Sequence, residues 1–154
     1  LFYIQDRVGK NGKTFKMLKY RTMVENAEKS GAVWAIKNDI RITAFGKFLR
    51  HSRIDEIPQF INILKGDMSL IGPRPERPFF VKELSEILPF YETRHIIKPG
   101  LTGWAQVKTR YGSTVDDSLL KLQYDLYYIK HRGFFLDINI LIKTLTTMFF
   151  FRGQ

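Results

Sequence analysis

The chain has 154 residues, 44% hydrophobic and 26% charged, a composition typical of one globular domain with a sizeable core. It contains no cysteine, which excludes a disulfide framework and a thiolate metal site. Its 25 Lys and Arg outnumber its 15 Asp and Glu, and this excess predicts a polyanionic partner: nucleic acid, an anionic membrane face or a phosphorylated small molecule.

The chain begins Leu-Phe-Tyr-Ile, without an initiator methionine or the layout of a signal peptide. We therefore expect residues 1–154 to be a single domain, a fragment of a longer protein. Residues 2–5 and 14–22 predict the strands of a hairpin, because an Asn-Gly turn signal lies between them. Lys19 and Arg21 share one face of the second strand, where the simplest interpretation is a solvated basic edge.

Residues 24–40 predict a loop with one helical turn at 25–29, and residues 42–51 predict a short basic helix. Its predicted apolar side consists of Phe45, Phe48 and Leu49.

A second helix is predicted from Ser52 to Lys65, and Gly66 is typical of a helix C-cap. Ser52-Arg-Ile-Asp55 resembles a capping box with Asp in place of Glu or Gln. Asp55 and Glu56 then have two interpretations: acids that complement a helix dipole, or a chemically active pair. The core candidates of this helix are Phe60, Ile61 and Leu64.

Arg74 lies between two prolines in Gly72-Pro-Arg-Pro75. Proline fixes φ on both sides, so the guanidinium is held on a stiff backbone, and its planar fork suits bidentate binding of phosphate. The alternative is a stiff connector whose arginine is solvated.

Residues 77–97 predict a helix broken at Pro89, and residues 98–106 a tight glycine-rich turn with Trp104 as a packing anchor. The core candidates of residues 77–97 are Phe79, Phe80, Leu84, Ile87 and Leu88.

Val115–Lys130 shows the clearest helical periodicity, with an apolar stripe formed by Leu119, Leu122, Leu126 and Ile129. Asp125 lies beside this stripe, which predicts a buried pair with an arginine. Residues 134–151 are mostly apolar with a narrow polar side. They predict either a helix in a membrane interface or a helix docked on the core.

Four segments carry a family resemblance: LKYRTM (18–23), RITAFGKFLRHSRIDEIPQFINILKGDMSLIGPRPERP (41–78), KPGLTGWAQV (98–107) and LQYDLYYIKHRGFFLDINIL (122–141). In this order and spacing the sequence resembles the bacterial sugar transferases, the polyprenyl-phosphate glycosyl-1-phosphate transferases, in their exopolysaccharide-type members. The re-entrant membrane helix of that family would precede residues 2–5, so we expect this chain to be the catalytic domain without it.

Together, the elements and the resemblance predict an α+β fold, mostly helical, with a small N-terminal β-hairpin and interfacial amphipathic helices. The resemblance implies transfer of sugar-1-phosphate from a nucleotide sugar, commonly a UDP sugar, to undecaprenyl phosphate. This reaction initiates exopolysaccharide or other surface-glycan synthesis at the cytoplasmic face of the bacterial inner membrane.

By motif position, the resemblance makes Asp55 the nucleophile that forms a covalent phosphosugar-aspartate. Glu56 is its acidic neighbour, and both carboxylates are expected to bind Mg2+. The implied substrate-binding residues are Lys19, Arg21, Arg50, Arg74, Gln106, Arg110 and Asp125.

Two other function classes compete with the enzyme: a basic nucleic-acid-binding module and a non-catalytic module of a glycan-assembly complex. The sequence has no nucleic-acid reader motif, no P-loop and no dinucleotide-binding Gly-x-Gly-x-x-Gly, so nucleic acid is not an expected partner. The three histidines are too scattered for a zinc motif. A homodimer is left open.

Overall fold

The computed structural model describes residues 1–25, 27, 39–109 and 114–149. Within these ranges the chain forms two two-stranded sheets and six α-helices, which confirms the predicted α+β class. The elements are β1 (Phe2–Val8), β2 (Thr14–Tyr20), α1 (Ala44–His51), α2 (Gln59–Lys65), β3 (Ser69–Ile71), α3 (Pro78–Ile87), β4 (Gly100–Thr102), α4 (Trp104–Lys108), α5 (Val115–His131) and α6 (Phe134–Phe149).

Three short 3₁₀ turns, Lys10–Gly12, Ile54–Glu56 and Tyr91–Ile96, connect these elements. Most of the predicted 24–40 loop, Arg110 and the end of the predicted 134–151 helix lie outside the described residues.

Strands β1 and β2 form the predicted antiparallel hairpin, with Phe2 opposite Tyr20. At its turn, Asn11 and Gly12 both have positive φ (56° and 74°), the conformation that an Asn-Gly turn requires. The first strand continues to Val8, three residues beyond the prediction, because the polar residues before Val8 also pair with β2.

The predicted capping box at Ser52 is wrong. The Ser52 hydroxyl donates back to the carbonyls of Phe48 (2.8 Å) and Leu49 (3.2 Å) at the end of α1. Arg53 then adopts a left-handed conformation (φ 60°), which ends the helix and turns the chain. Asp55 and Glu56 consequently lie in a separate 3₁₀ turn rather than in the first turn of α2.

Helix α2 packs with its polar side inward. Asn62 is buried, its Oδ1 accepts from the backbone N–H of Leu18 (3.0 Å), and its Nδ2 donates to the carbonyl of Lys16 (2.8 Å). The core predicted for this helix is therefore wrong, since Phe60, Ile61 and Leu64 are all exposed. On the predicted apolar side of α1, Leu49 is buried, whereas Phe45 and Phe48 are exposed.

The main hydrophobic core lies between the end of β1, α3 and α5. It is formed by Val8, Val81, Leu84, Leu88, Tyr91 and Leu122, with Leu126 packed against it. Leu84, Leu88 and the buried Phe80 confirm part of the predicted core, whereas Phe79 and Ile87 are exposed on the outer side of α3.

Strands β3 and β4 form a parallel pair that the sequence did not predict. At Gly100 the backbone approaches Gly72 so closely that a Cβ atom would collide with the Gly72 nitrogen. Glycine is therefore required at this contact. The pairing fixes the position at which the Gly72-Pro-Arg-Pro75 segment leaves β3.

Helix α5 begins with a capping box in which Thr114 and Asp117 exchange hydrogen bonds. In α6, Ile140 is fully buried, whereas several apolar residues face outward: Phe134, Phe135, Ile138, Ile142 and Leu145. The helix is thus docked on the protein, which confirms one of the two predicted alternatives, and it also presents an apolar outer face. In the described part of the chain, no helix is long and apolar enough to cross a membrane.

Leu84 and Ile87 provide a matched test of this core, because both are large apolar residues of α3 and only Leu84 is buried. We expect Leu84→Ala to lower the free energy of unfolding by about 2–5 kcal/mol, since it leaves a cavity. Ile87→Ala should cost less than about 1 kcal/mol. Denaturant unfolding measures both, and equal losses would contradict the packing.

Candidate active site

Asp55 and Glu56 are both buried, with only 7% and 8% of their surface exposed. Two adjacent buried carboxylates are costly unless positive charges or hydrogen bonds compensate them. The 3₁₀ turn that carries them packs against β2 and follows directly after α1. The compensating cations come from these neighbours and from the segment after β3.

Glu56 is the more tightly held of the two. Its Oε1 accepts hydrogen bonds from Arg74 Nη2 (2.7 Å) and Lys19 Nζ (3.2 Å). Burial alone would raise the pKa of Glu56, but Arg74 and Lys19 together hold it well below its usual range. Glu56 is therefore ionised at neutral pH, with its charge matched by these two cations.

Asp55 has no hydrogen-bond donor or ion-pair partner among the described residues. Burial raises its pKa, and the nearby negative charge of Glu56 adds to this effect. The positive charges of Lys19, Arg50 and Arg74 act in the opposite direction. The result is a partly desolvated carboxylate surrounded by positive charge, whose oxygens accept no hydrogen bond from the described residues.

Lys19 projects into this cluster because Asn62 fixes its strand through the backbone of Lys16 and Leu18. Burial lowers the pKa of Lys19 to about 8, against the raising effect of Glu56. The ammonium is thus mostly protonated at neutral pH. The predicted solvated edge is wrong for Lys19, which is largely buried, whereas Arg21 is exposed and makes no described contact with the acid pair.

The backbone around Arg74 is fixed by hydrogen bonds to four successive carbonyls. Since Pro73 and Pro75 have no N–H, the carbonyls are their only backbone hydrogen-bonding groups. The donors come from β4, the 3₁₀ turn at 91–96 and β1: Gly100 N to Pro73 O (2.9 Å), Arg94 Nη2 to Arg74 O (2.8 Å), Arg7 Nη1 to Pro75 O (3.0 Å) and Val8 N to Glu76 O (2.9 Å). Arg74 is therefore presented to Glu56 from a fully anchored backbone.

Two further predicted substrate-binding residues, Arg50 and Gln106, make hydrogen bonds in different parts of the molecule. Arg50 donates from Nε to Thr22 Oγ1 (2.9 Å), and its charge acts on Asp55. Gln106 donates to the carbonyl of Leu101 (2.9 Å), so its amide braces the turn before α4. The structure thus brings Lys19, Arg50 and Arg74 together with the acid pair.

Asp125 is 2% exposed, and its Oδ2 accepts from Arg94 Nη2 (2.8 Å), which confirms the predicted buried pair with an arginine. Burial raises the pKa of Asp125 to about 6 despite Arg94. Asp125 therefore contacts Arg94 rather than the acid pair. The sequence predicted an arginine partner without indicating Arg94, which lies 31 residues away.

The donor set at Asp55 and Glu56 fits a hard cation of the Mg2+ type. The described residues contain no group of three or more His, Cys, Asp or Glu side chains that could hold a metal ion. However, Mg2+ commonly uses only one or two carboxylates and takes its other oxygens from water and phosphate. Within the part of the chain that the structure describes, Asp55 has no hydrogen-bond donor and the hydrogen bonds of Glu56 reach only Oε1, so both residues retain oxygens that could bind a metal.

The sequence model of the family described as bacterial sugar transferase matches residues 1–151. The chain therefore belongs to the bacterial sugar transferase family.

Among its curated relatives is the UDP-N-acetylgalactosamine-undecaprenyl-phosphate N-acetylgalactosaminephosphotransferase of Aeromonas hydrophila, 48% identical over 148 residues, which are 96% of this chain and 35% of that protein. Another is the UDP-glucose:undecaprenyl-phosphate glucose-1-phosphate transferase of Xanthomonas campestris pv. campestris, 43% identical over 147 residues, 94% of this chain and 30% of that protein. The chain thus spans about a third of the length of these two relatives.

His95 gives a pH-dependent prediction next to Arg94. Burial, and then the charge of Arg94, lower the pKa of His95 from 6.5 to about 4, and its ring packs edge-on against Tyr91. Below pH 6.5 the unfolded chain therefore binds a proton that the folded protein excludes until about pH 4. Between pH 7 and pH 4.5 this proton lowers the free energy of unfolding of the wild type relative to that of His95→Gln, which retains only the contributions of the other titrating groups, such as the opposing one of Asp125. Parallel slopes in denaturant unfolding at these pH values would contradict this.

Proposed function

We propose that this chain transfers a sugar-1-phosphate from a nucleotide sugar, in particular a UDP sugar, to undecaprenyl phosphate, with Asp55 as the nucleophile. The observation that carries the proposal is the asymmetry of the acid pair. Glu56 is matched by two cations, whereas the Asp55 carboxylate has no donor among the described residues. The two relatives described above are named as undecaprenyl-phosphate sugar phosphotransferases, which supports this reaction class.

In the first step, an Asp55 carboxylate oxygen attacks the sugar-bearing phosphorus of the diphosphate. A new phosphorus–oxygen bond forms to Asp55 while the bond between that phosphorus and the bridging oxygen breaks. The bridging oxygen keeps the electron pair and leaves with the nucleoside monophosphate. No general base is needed, because an ionised carboxylate is already a nucleophile.

In the second step, a phosphate oxygen of undecaprenyl phosphate attacks the same phosphorus. The phosphorus–oxygen bond to Asp55 breaks, and its electron pair returns to the carboxylate. The product is a polyprenyl diphosphate sugar, and the enzyme returns to its starting state. The reaction initiates exopolysaccharide or surface-glycan synthesis.

The cations around the acid pair match the main need of phosphoryl transfer, which is stabilisation of charge on the transferring group. Lys19 and Arg74 are fixed on Glu56 before substrate binds, and Arg50 adds positive charge on the Asp55 side. We propose Mg2+ as the cofactor, bound by Asp55 and Glu56, where it would shield the charge of the diphosphate from the attacking carboxylate.

The outward apolar residues of the α1–α2 region suit a position at the cytoplasmic face of the bacterial inner membrane. Phe60, Ile61 and Leu64 are exposed on the helix that follows the acid pair, and Ile57 is exposed directly after Glu56. An apolar surface this close to the nucleophile would let a lipid-linked phosphate approach from the bilayer.

The nucleophile assignment predicts that Asp55→Asn abolishes nucleoside monophosphate release from a UDP sugar in the full-length protein, because an amide cannot form the acyl phosphate. Asp116→Asn, at an exposed acid in the first turn of α5, is the matched control and should leave the rate unchanged. Coupled detection of uridine monophosphate measures both. Full turnover by Asp55→Asn would exclude Asp55 as the nucleophile.

If this apolar surface contacts the membrane, a charge introduced there should slow the second reaction step much more than the first. We expect Phe60→Glu to slow transfer to undecaprenyl phosphate at least about tenfold, because a charge in an apolar membrane contact is costly. Uridine monophosphate release in a single turnover without acceptor should change much less. Phe79→Glu, at an exposed residue of α3, is the control for a new surface charge. Equal effects on both steps would argue against lipid entry across α2.

A further inference from the structure

We propose that Arg94 is a positioning residue for the reaction: held by Asp125 and Tyr91, it fixes the backbone of Arg74 so that the Arg74 guanidinium stays on Glu56. This inference rests on the proposed function for its catalytic meaning. It assigns a role to a buried ion pair that contacts neither Asp55 nor Glu56.

Arg94 joins two parts of the molecule through its guanidinium. Its Nη2 donates to Asp125 Oδ2 on α5 and to the carbonyl of Arg74, each at 2.8 Å. Its Nη1 donates to the Tyr91 hydroxyl at 2.6 Å, and the guanidinium lies 5.1 Å from the centre of the Tyr91 ring. Arg94 is only 7% exposed, so it holds its partners from inside the protein rather than from the surface.

Stability alone is a poor explanation for this pair. Replacing a buried ion pair by well-packed apolar residues is often neutral or stabilising, because burial removes both charges from water. Arg94 Nε is also buried without a hydrogen-bond partner in the described part of the chain, which adds a cost. An aliphatic side chain could fill this space beside the core, but it could not donate a hydrogen bond to the Arg74 carbonyl.

The effect reaches the acid pair through a short and stiff path. Pro75 follows Arg74 and restricts the backbone conformation of Arg74. The hydrogen bond from Arg94 then fixes the Arg74 carbonyl. From this backbone the Arg74 side chain reaches Glu56 at 2.7 Å. A shift of about 1 Å in a catalytic group can cost about a hundredfold in rate, so losing this anchor should be visible in catalysis.

The first test is a double-mutant cycle in the full-length protein, read as uridine monophosphate release from a UDP sugar. We expect Arg94→Met to lower kcat at least about tenfold with little change in KM, because charge stabilisation of the transferring group is lost rather than ground-state binding. In the Arg74→Ala background, Arg94→Met should cause no further loss, since the proposed route through Arg74 is already gone. Equal losses in both backgrounds would overturn the proposal.

Leu84→Ala is the control for general destabilisation, because Leu84 lies in the same core as Tyr91 but makes no contact with Arg74 or Glu56. It should lower the melting temperature while kcat at a permissive temperature stays near that of the wild type. If kcat falls as far in Leu84→Ala as in Arg94→Met, the effect of Arg94 is structural and the positioning role is excluded.

A cryo-electron microscopy structure of full-length Arg94→Met in nanodiscs gives a readout that does not depend on activity. We expect the Arg74 guanidinium to leave Glu56 while the core remains intact. An unchanged contact between Arg74 and Glu56 would overturn the positioning role. A wild-type protein that releases no uridine monophosphate would instead overturn the proposed function, and the variant structure would still decide the role of Arg94.

Discussion

The site depends on one carboxylate oxygen that accepts hydrogen bonds from two cations. Glu56 Oε1 brings together Lys19 from β2 and Arg74 from the segment after β3. Burying these charges is tolerable only because they compensate one another, so each element must hold its charge at a fixed place. The adjacent Asp55 then lies near the positive charges of Lys19, Arg50 and Arg74. In the proposed reaction these charges would stabilise the negative charge of the diphosphate that Asp55 attacks.

The same requirement explains the unusual packing of α2. Its buried side is polar because Asn62 replaces apolar packing with two hydrogen bonds to the backbone of β2, which positions Lys19. The apolar residues of α2 consequently face outward next to the acid pair. The position of Lys19 and the exposed apolar surface are therefore two results of one orientation of the helix, and both suit the lipid-linked substrate that we propose.

Local signals in the sequence were good predictors where local chemistry decides the structure. The Asn-Gly turn at Asn11, the C-cap at Gly66 and the buried arginine partner of Asp125 all follow from such signals. Hydrophobic periodicity identified the apolar side of α2 but not whether that side faces the core or the solvent. The hydrogen bond between Asn62 and Leu18, 44 residues apart, turns the polar side inward. The capping box at Ser52 failed because the left-handed Arg53 separates the acid pair from α2.

In the proposed mechanism, Asp55 carries the sugar phosphate between the two substrates. Its most direct test is intact-mass and peptide analysis of the full-length protein, quenched after incubation with a UDP sugar in the absence of undecaprenyl phosphate. We expect a mass increase of one sugar phosphate on the peptide that contains Asp55, and we expect it to be lost when undecaprenyl phosphate is added. Uridine monophosphate release only in the presence of the lipid acceptor, with no adduct on Asp55, would contradict it.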